Sequence, residues 1–138
     1  MENLGYRSYD VALMENRRFV MPAEFRPAFQ GKGKFIIFSD ITTRTLIITD
    51  EKTFDGICET SDADTLMTFN AREYDPKNDP QARGAFSASQ MVLLGNPEEV
   101  TFASMDKYIV VSNPDVMVVD KENVAKEMKN IRNTMLGR

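Results

Sequence analysis

Short apolar runs, each bounded by turn residues, set the rhythm of the chain. Phe35-Ile36-Ile37-Phe38, Leu46-Ile47-Ile48 and Tyr108-Ile109-Val110-Val111 are β-branched or aromatic and only a few residues long, and Val116-Met117-Val118-Val119 reads the same way. Runs of that length and composition predict buried strands. Ser112-Asn113-Pro114-Asp115 is a turn signal between two of them. Asp50 and Asp120 each stand directly before helix-compatible sequence, where an N-cap aspartate would accept bonds from the first-turn amides. After Asp120 the period changes: Val124, Met128, Ile131 and Met135 fall on one face of a long C-terminal helix. Those methionines read as core or subunit contacts, since Met fills irregular apolar gaps.

The same pattern recurs along the chain. Pro22-Ala23-Glu24-Phe25-Arg26-Pro27-Ala28 is echoed by Pro97-Glu98-Glu99-Val100-Thr101-Phe102-Ala103 at an offset of 75. Lys34 to Ser39 is echoed by Lys107 to Ser112 at 73, and Leu46 to Phe54 by Val116 to Val124 at 70. Three collinear matches predict an internal tandem repeat, with offset changes absorbed in loops. Each unit reads as a strand, a proline turn, a strand, a hairpin connection, a strand and a helix. The expected division is half-repeat one over 1–58, a linker over 59–80 with a short helix around Leu66, Met67 and Phe69, and half-repeat two over 81–138. The two halves are expected to share one arrangement about a pseudo-twofold axis, over 12–57 and 87–128.

Composition narrows the function. A chain of 138 residues with 42% hydrophobic content has the size of one domain with a real core. No apolar run approaches the roughly 20 residues that span a bilayer, and the start Met1-Glu2-Asn3-Leu4-Gly5 lacks the apolar segment of a secretory signal, so the expected location is cytoplasmic. Cys58 is the only cysteine and there is no histidine. The usual general base, the commonest zinc ligand and any multi-cysteine metal site are therefore missing, and no phosphate-binding glycine loop is present. Gly31-Lys32-Gly33-Lys34 reads as a turn. The expectation is a binding protein with no catalytic residues, metal or cofactor. The formal charge is −4, but residues 1–57 hold 8 basic against 8 acidic side chains and residues 58–138 hold 9 against 13, so an anion-binding face belongs in the first half.

The stretch Met14-Glu15-Asn16-Arg17-Arg18-Phe19-Val20-Met21-Pro22-Ala23-Glu24-Phe25-Arg26 resembles the opening of a half-repeat in the MraZ family, whose members carry two swapped-hairpin halves related to AbrB. The family pattern runs D-x-x-G-R-h-x-h-P-x-x-h-R, with h apolar. Arg18, Pro22 and Arg26 match it, Met14 replaces the aspartate and Arg17 the glycine. In the second half the offset of 75 places Leu93 where the arginine falls. The resemblance implies an α+β, mostly β, fold: one pseudo-twofold, β-barrel-like domain of two swapped-hairpin halves with flanking helices and a C-terminal helix. It also implies a DNA-binding transcriptional regulator, associated with the nucleoid and assembled into a homo-oligomeric ring that presents several copies of the loop. Multivalency of that kind can raise avidity by about 10² to 10⁴.

The candidate DNA-binding residues are Asn16, Arg17, Arg18 and Arg26. Guanidinium groups make bidentate bonds to phosphates and guanine edges, and Asn16 can read adenine or contact phosphate. Arg26 is expected to pack its stem on the core and brace the loop. The plain alternative makes Arg17 and Arg18 a solvated hairpin tip paired with Glu15 or Glu24. The rival function is a protein-binding module on the same fold that has lost DNA affinity, supported by the acidic balance and the missing second arginine.

Overall fold

The computed structural model describes residues 4–115. The expected strand Val116–Val119, the cap at Asp120 and the helical face from Val124 to Met135 lie outside them. In chain order the elements are β1 (Ser8–Ala12), a 3-10 turn (Glu15–Arg17), β2 (Arg18–Phe19), a 3-10 helix (Ala23–Ala28), β3 (Phe35–Asp40), β4 (Thr45–Asp50), α1 (Glu51–Thr60), α2 (Ala63–Met67), β5 (Arg72–Tyr74), β6 (Gly84–Ala85), α3 (Ala88–Leu94), β7 (Glu99–Met105) and β8 (Tyr108–Ser112). The fold is α+β and mostly β. A six-stranded antiparallel sheet in the order β1-β7-β8-β4-β3-β5 carries a separate two-stranded ribbon, β2 with β6.

Strand alternation decides which side chains meet in the core. Phe35 and Ile37 of β3, Leu46 and Ile48 of β4, Val100 and Phe102 of β7, and Ile109 and Val111 of β8 share one face. The ribbon and the short helices close over that face with Phe19, Met21, Phe25, Phe29, Phe86, Met91 and Leu94, all buried. The intervening residues Ile36, Phe38 and Ile47 point the other way and meet Phe54 and Ile57 of α1, with Phe69 beyond α2. The sheet is therefore covered on both faces around β3 and β4, which is why these strands read as nearly continuous apolar runs.

Asp50 caps α1 as expected, its carboxylate accepting from the Thr53 amide at 2.7 Å. Asp62 caps α2 in the same way through Thr65 at 2.8 Å. The hairpins β3–β4 and β7–β8 lie side by side, joined through β4 and β8 with Ile47 opposite Val110. Along these inner strands Leu46-Ile47-Ile48-Thr49 and Ile109-Val110-Val111-Ser112 show the same alternation of burial.

Several expectations need correction. Closure into a barrel is absent among the described residues: the sheet is open, with β1 and the three-residue β5 at its edges. The match of Pro22–Ala28 with Pro97–Ala103 pairs unlike structures, a 3-10 helix with strand β7. Proline explains the false match. Pro22 is the N-cap of the short helix, whereas Pro97 lies in the loop that leads into β7. The hairpin partner of β8 is β7, which precedes it, and at Pro114 the backbone turns helical. Leu93 sits in α3, whose capping box joins Ser87 and Gln90 and whose C-cap is the left-handed Gly95. The 59–80 stretch contains the expected short helix as α2, but it also supplies β5, hydrogen-bonded to β3, so it is part of the sheet as well as a connection.

Candidate nucleic-acid interface

The loop between β1 and β2 is a tight reversal. The Met14 amide donates to the Arg18 carbonyl at 2.9 Å, closing the turn, and Met14 and Arg18 form a bridge. To reverse in so few residues the chain puts Asn16 and Arg17 in the left-handed region, at φ 59° and 61°. That region suits Asn and strains Arg. Arg17 thus takes a backbone conformation that glycine adopts without strain. Two bonds hold it there. Its Nε donates to the Phe86 carbonyl at 3.1 Å, and its own carbonyl accepts from the Phe86 amide at 3.0 Å. Arg17 and Arg18 are both exposed, and among the described residues neither has a carboxylate partner, so the pairing with Glu15 or Glu24 is not formed.

A second loop of the same kind precedes β6. Asp79 accepts from the amides of Gln81 at 3.0 Å and Arg83 at 3.1 Å, and its backbone carbonyl accepts from the Ala82 amide at 2.9 Å. Ala82 takes the left-handed conformation at φ 47°. The side chain of Arg83 folds back on Asp79, with Nε 2.9 Å from Oδ2. This hydrogen bond holds the Asp79 carboxyl below the usual carboxylate range, helped by the amides, and the carboxylate in turn raises Arg83. In the first loop Met14 has no carboxylate, and backbone bonding closes the turn instead.

The two loops converge on the ribbon. Phe19 opposes Gly84 and faces the core, so Arg18, opposite Ala85, faces solvent. Arg83 immediately precedes β6, and its side chain lies on Asp79. Arg18 and Arg83 are both exposed. Gly84 permits the arrangement, because a Cβ on it would lie 2.5 Å from Phe19 Cζ and 2.9 Å from Tyr74 Cε1.

Of the four residues expected from sequence, Asn16, Arg17 and Arg18 share the first loop. Arg26 stands apart at the end of the 3-10 helix, half-buried, with Nε donating to the Met21 carbonyl at 2.8 Å. It is tied to the segment that follows β2. Sequence reasoning did not single out Arg83 beside this loop. The signal was present: Asp79-Pro80-Gln81-Ala82-Arg83 follows D-x-x-G-R with Ala for Gly, but the offset of 75 directed attention to Leu93.

Among the described residues no helix is long and apolar enough to cross a membrane. Compared with known proteins, the chain matches no family model and no curated sequence.

Proposed function

We propose that the chain is a DNA-binding transcriptional regulator of the MraZ/AbrB type, built from two swapped-hairpin half-repeats in a register of 65 residues. In that register Arg17 corresponds to Ala82, Arg18 to Arg83, Phe19 to Gly84, Ala23 to Ala88 and Ile37 to Phe102. The left-handed backbone at Arg17 and Ala82 supports it, as do the pairing of β2 with β6 and the short helix that follows each loop. At β4 and β8 the offset becomes 63. The β3–β4 turn spans Ile41 to Arg44, whereas β7 and β8 are joined by Asp106 and Lys107 alone.

The observation that carries the functional reading is a pair of exposed arginines at the ribbon, Arg18 in β2 and Arg83 directly before β6. Two guanidinium groups so placed can engage successive phosphates, or a phosphate and a guanine edge, from a single position. Few phosphates are neutralised per chain, so useful affinity requires assembly. Exposed apolar side chains such as Met67 and Val92, at 85% and 63%, support a homo-oligomer. A salt-titrated binding assay against a broad pool of duplexes tests this reading, which expects affinity that falls steeply with salt.

The second reading is a protein-binding module without DNA affinity. It is favoured by the clamp of Asp79 on Arg83, which half-neutralises one arm of the site, and by the net charge of −4. Under it the same assay gives no binding even at low salt.

A further inference from the structure

We infer that the cavity between the outer face of the β3–β4 hairpin and helices α1 and α2 binds a small molecule with an apolar body and a cationic head. The cavity measures about 660 Å³. That is within the roughly 300–1,000 Å³ of small-molecule sites. Its floor is Phe38, Ile47, Ile57 and Phe69. The wall is stiffened by aromatic packing: Phe38 lies 5.1 Å from Phe69 and 5.0 Å from Phe54, which completes the triangle at 5.9 Å. Such a wall offers preformed apolar contact with little ordering entropy left to lose.

The head of the ligand is specified by charge. Among the described residues two carboxylates, Asp40 and Asp64, line the cavity and no Lys or Arg does. Asp40 is fixed at the end of β3: its Oδ1 accepts from the amides of Thr42 at 3.1 Å and Thr43 at 3.4 Å. Asp64 stands in the first turn of α2, while Asp62 makes the cap, so Asp64 is not needed to end the helix. Thr49, Thr53 and Thr65 also line the cavity, and their hydroxyls can accept a hydrogen bond. An anion entering this space meets two like charges beside low-dielectric walls, whereas an amine meets two counter-charges. The site is on the face of the sheet opposite the core that seats the β2–β6 ribbon, so it stands independently of the DNA reading.

The test uses the full chain with labelled isoleucine methyls, which place reporters at Ile41, Ile47 and Ile57. Tryptamine and 2-phenylethylamine are titrated against indole-3-acetate and phenylacetate, which keep the aromatic body and reverse the charge. The expected result is a saturable shift of these three methyls with the amines and affinity at least about tenfold lower for the carboxylates. Asp64→Asn should weaken amine binding severalfold with unchanged circular dichroism, and Ile57→Trp should abolish it by filling the floor. The proposal is overturned if neither amine shifts these methyls up to low-millimolar concentration, if the carboxylates bind equally well, or if Asp64→Asn has no effect. It is also overturned if the methyls shift with protein concentration alone, which would make the occupant a second copy of the chain.

Discussion

The ring of Phe19 lies where a β-carbon on Gly84 would have to go, with Phe19 Cζ 2.5 Å from that point. Phe19 also stacks on Phe86 at 4.7 Å and meets Phe102 edge-on at 5.2 Å, so it cannot move aside without disturbing the core. Gly84→Ala should therefore destabilise by about 1–3 kcal/mol through overpacking, although alanine is otherwise the better residue in a strand position. Chemical denaturation measures it. Equal stability of variant and wild type would mean that the ribbon is looser than described.

Tyr74 donates its hydroxyl to the carbonyl of Ala82, a residue with no exposed surface, and thereby ties β5 to the second loop. Tyr74→Phe leaves that carbonyl unsatisfied and should cost about 1–3 kcal/mol. Burial, with the nearby Asp79 charge, pushes the Tyr74 phenol far above its ordinary value. In the folded state it stays protonated while in the unfolded chain it ionises near pH 10, so its contribution is complete below about pH 10 and is lost as pH rises further. Alkaline unfolding curves should accordingly be shallower for Tyr74→Phe by one proton. Identical slopes would contradict the burial.

Gln90 is a fully buried polar side chain, and the core accepts it because the amide is satisfied. Its Nε2 donates to the carbonyls of Ile37 at 3.1 Å and Asn70 at 3.2 Å, and its Oε1 accepts from the Ser87 amide at 2.9 Å. Gln90→Glu keeps the acceptor and removes both donors, with a carboxylate left among carbonyls. A loss of about 1–3 kcal/mol is expected at neutral pH, with partial recovery in acid as the carboxyl regains a proton. Thermal melts at two pH values check both halves of the expectation.

Arg17 holds a left-handed backbone conformation that strains arginine and alanine alike. Arg17→Gly removes both the strain and the bond from Nε to the Phe86 carbonyl, whereas Arg17→Ala removes the bond alone. The glycine variant should therefore be more stable than the alanine variant by about 1 kcal/mol. Urea midpoints with equal slopes would make the comparison clean. Equal stability would indicate that the loop is not held left-handed at Arg17.

The central strands were legible because burial on both faces makes them continuous apolar runs, as at Phe35 to Phe38. The Asp50 cap was legible because its chemistry is local. The repeat read from the sequence paired unlike elements, since proline and alanine carry a similar pattern in a helix cap at Pro22 and in a strand entry at Pro97. The counterpart proposed for the first loop differs from it at the positions that a sequence match would need. Ala82 takes the left-handed place, Gly84 stands where packing against Phe19 requires it, and Ser87 caps a helix where the first half uses Pro22. Short edge strands such as β5 gave no signal. Three residues with one buried side chain have no period to read, and their existence depends on pairing with β3.

The most direct measurement is the salt dependence of duplex DNA binding for wild type, Arg18→Ala, Arg83→Ala and the double variant, with folding confirmed for each. Exposed side chains on the ribbon contribute little to stability, usually within about ±0.5 kcal/mol, so all four proteins should stay folded. The account predicts wild-type binding at about 50–100 mM salt, a log–log salt slope that becomes shallower with each arginine removed, and loss of binding in the double variant. Folded wild-type protein that shifts no duplex at that salt would contradict it, as would a double variant that binds as the wild type does.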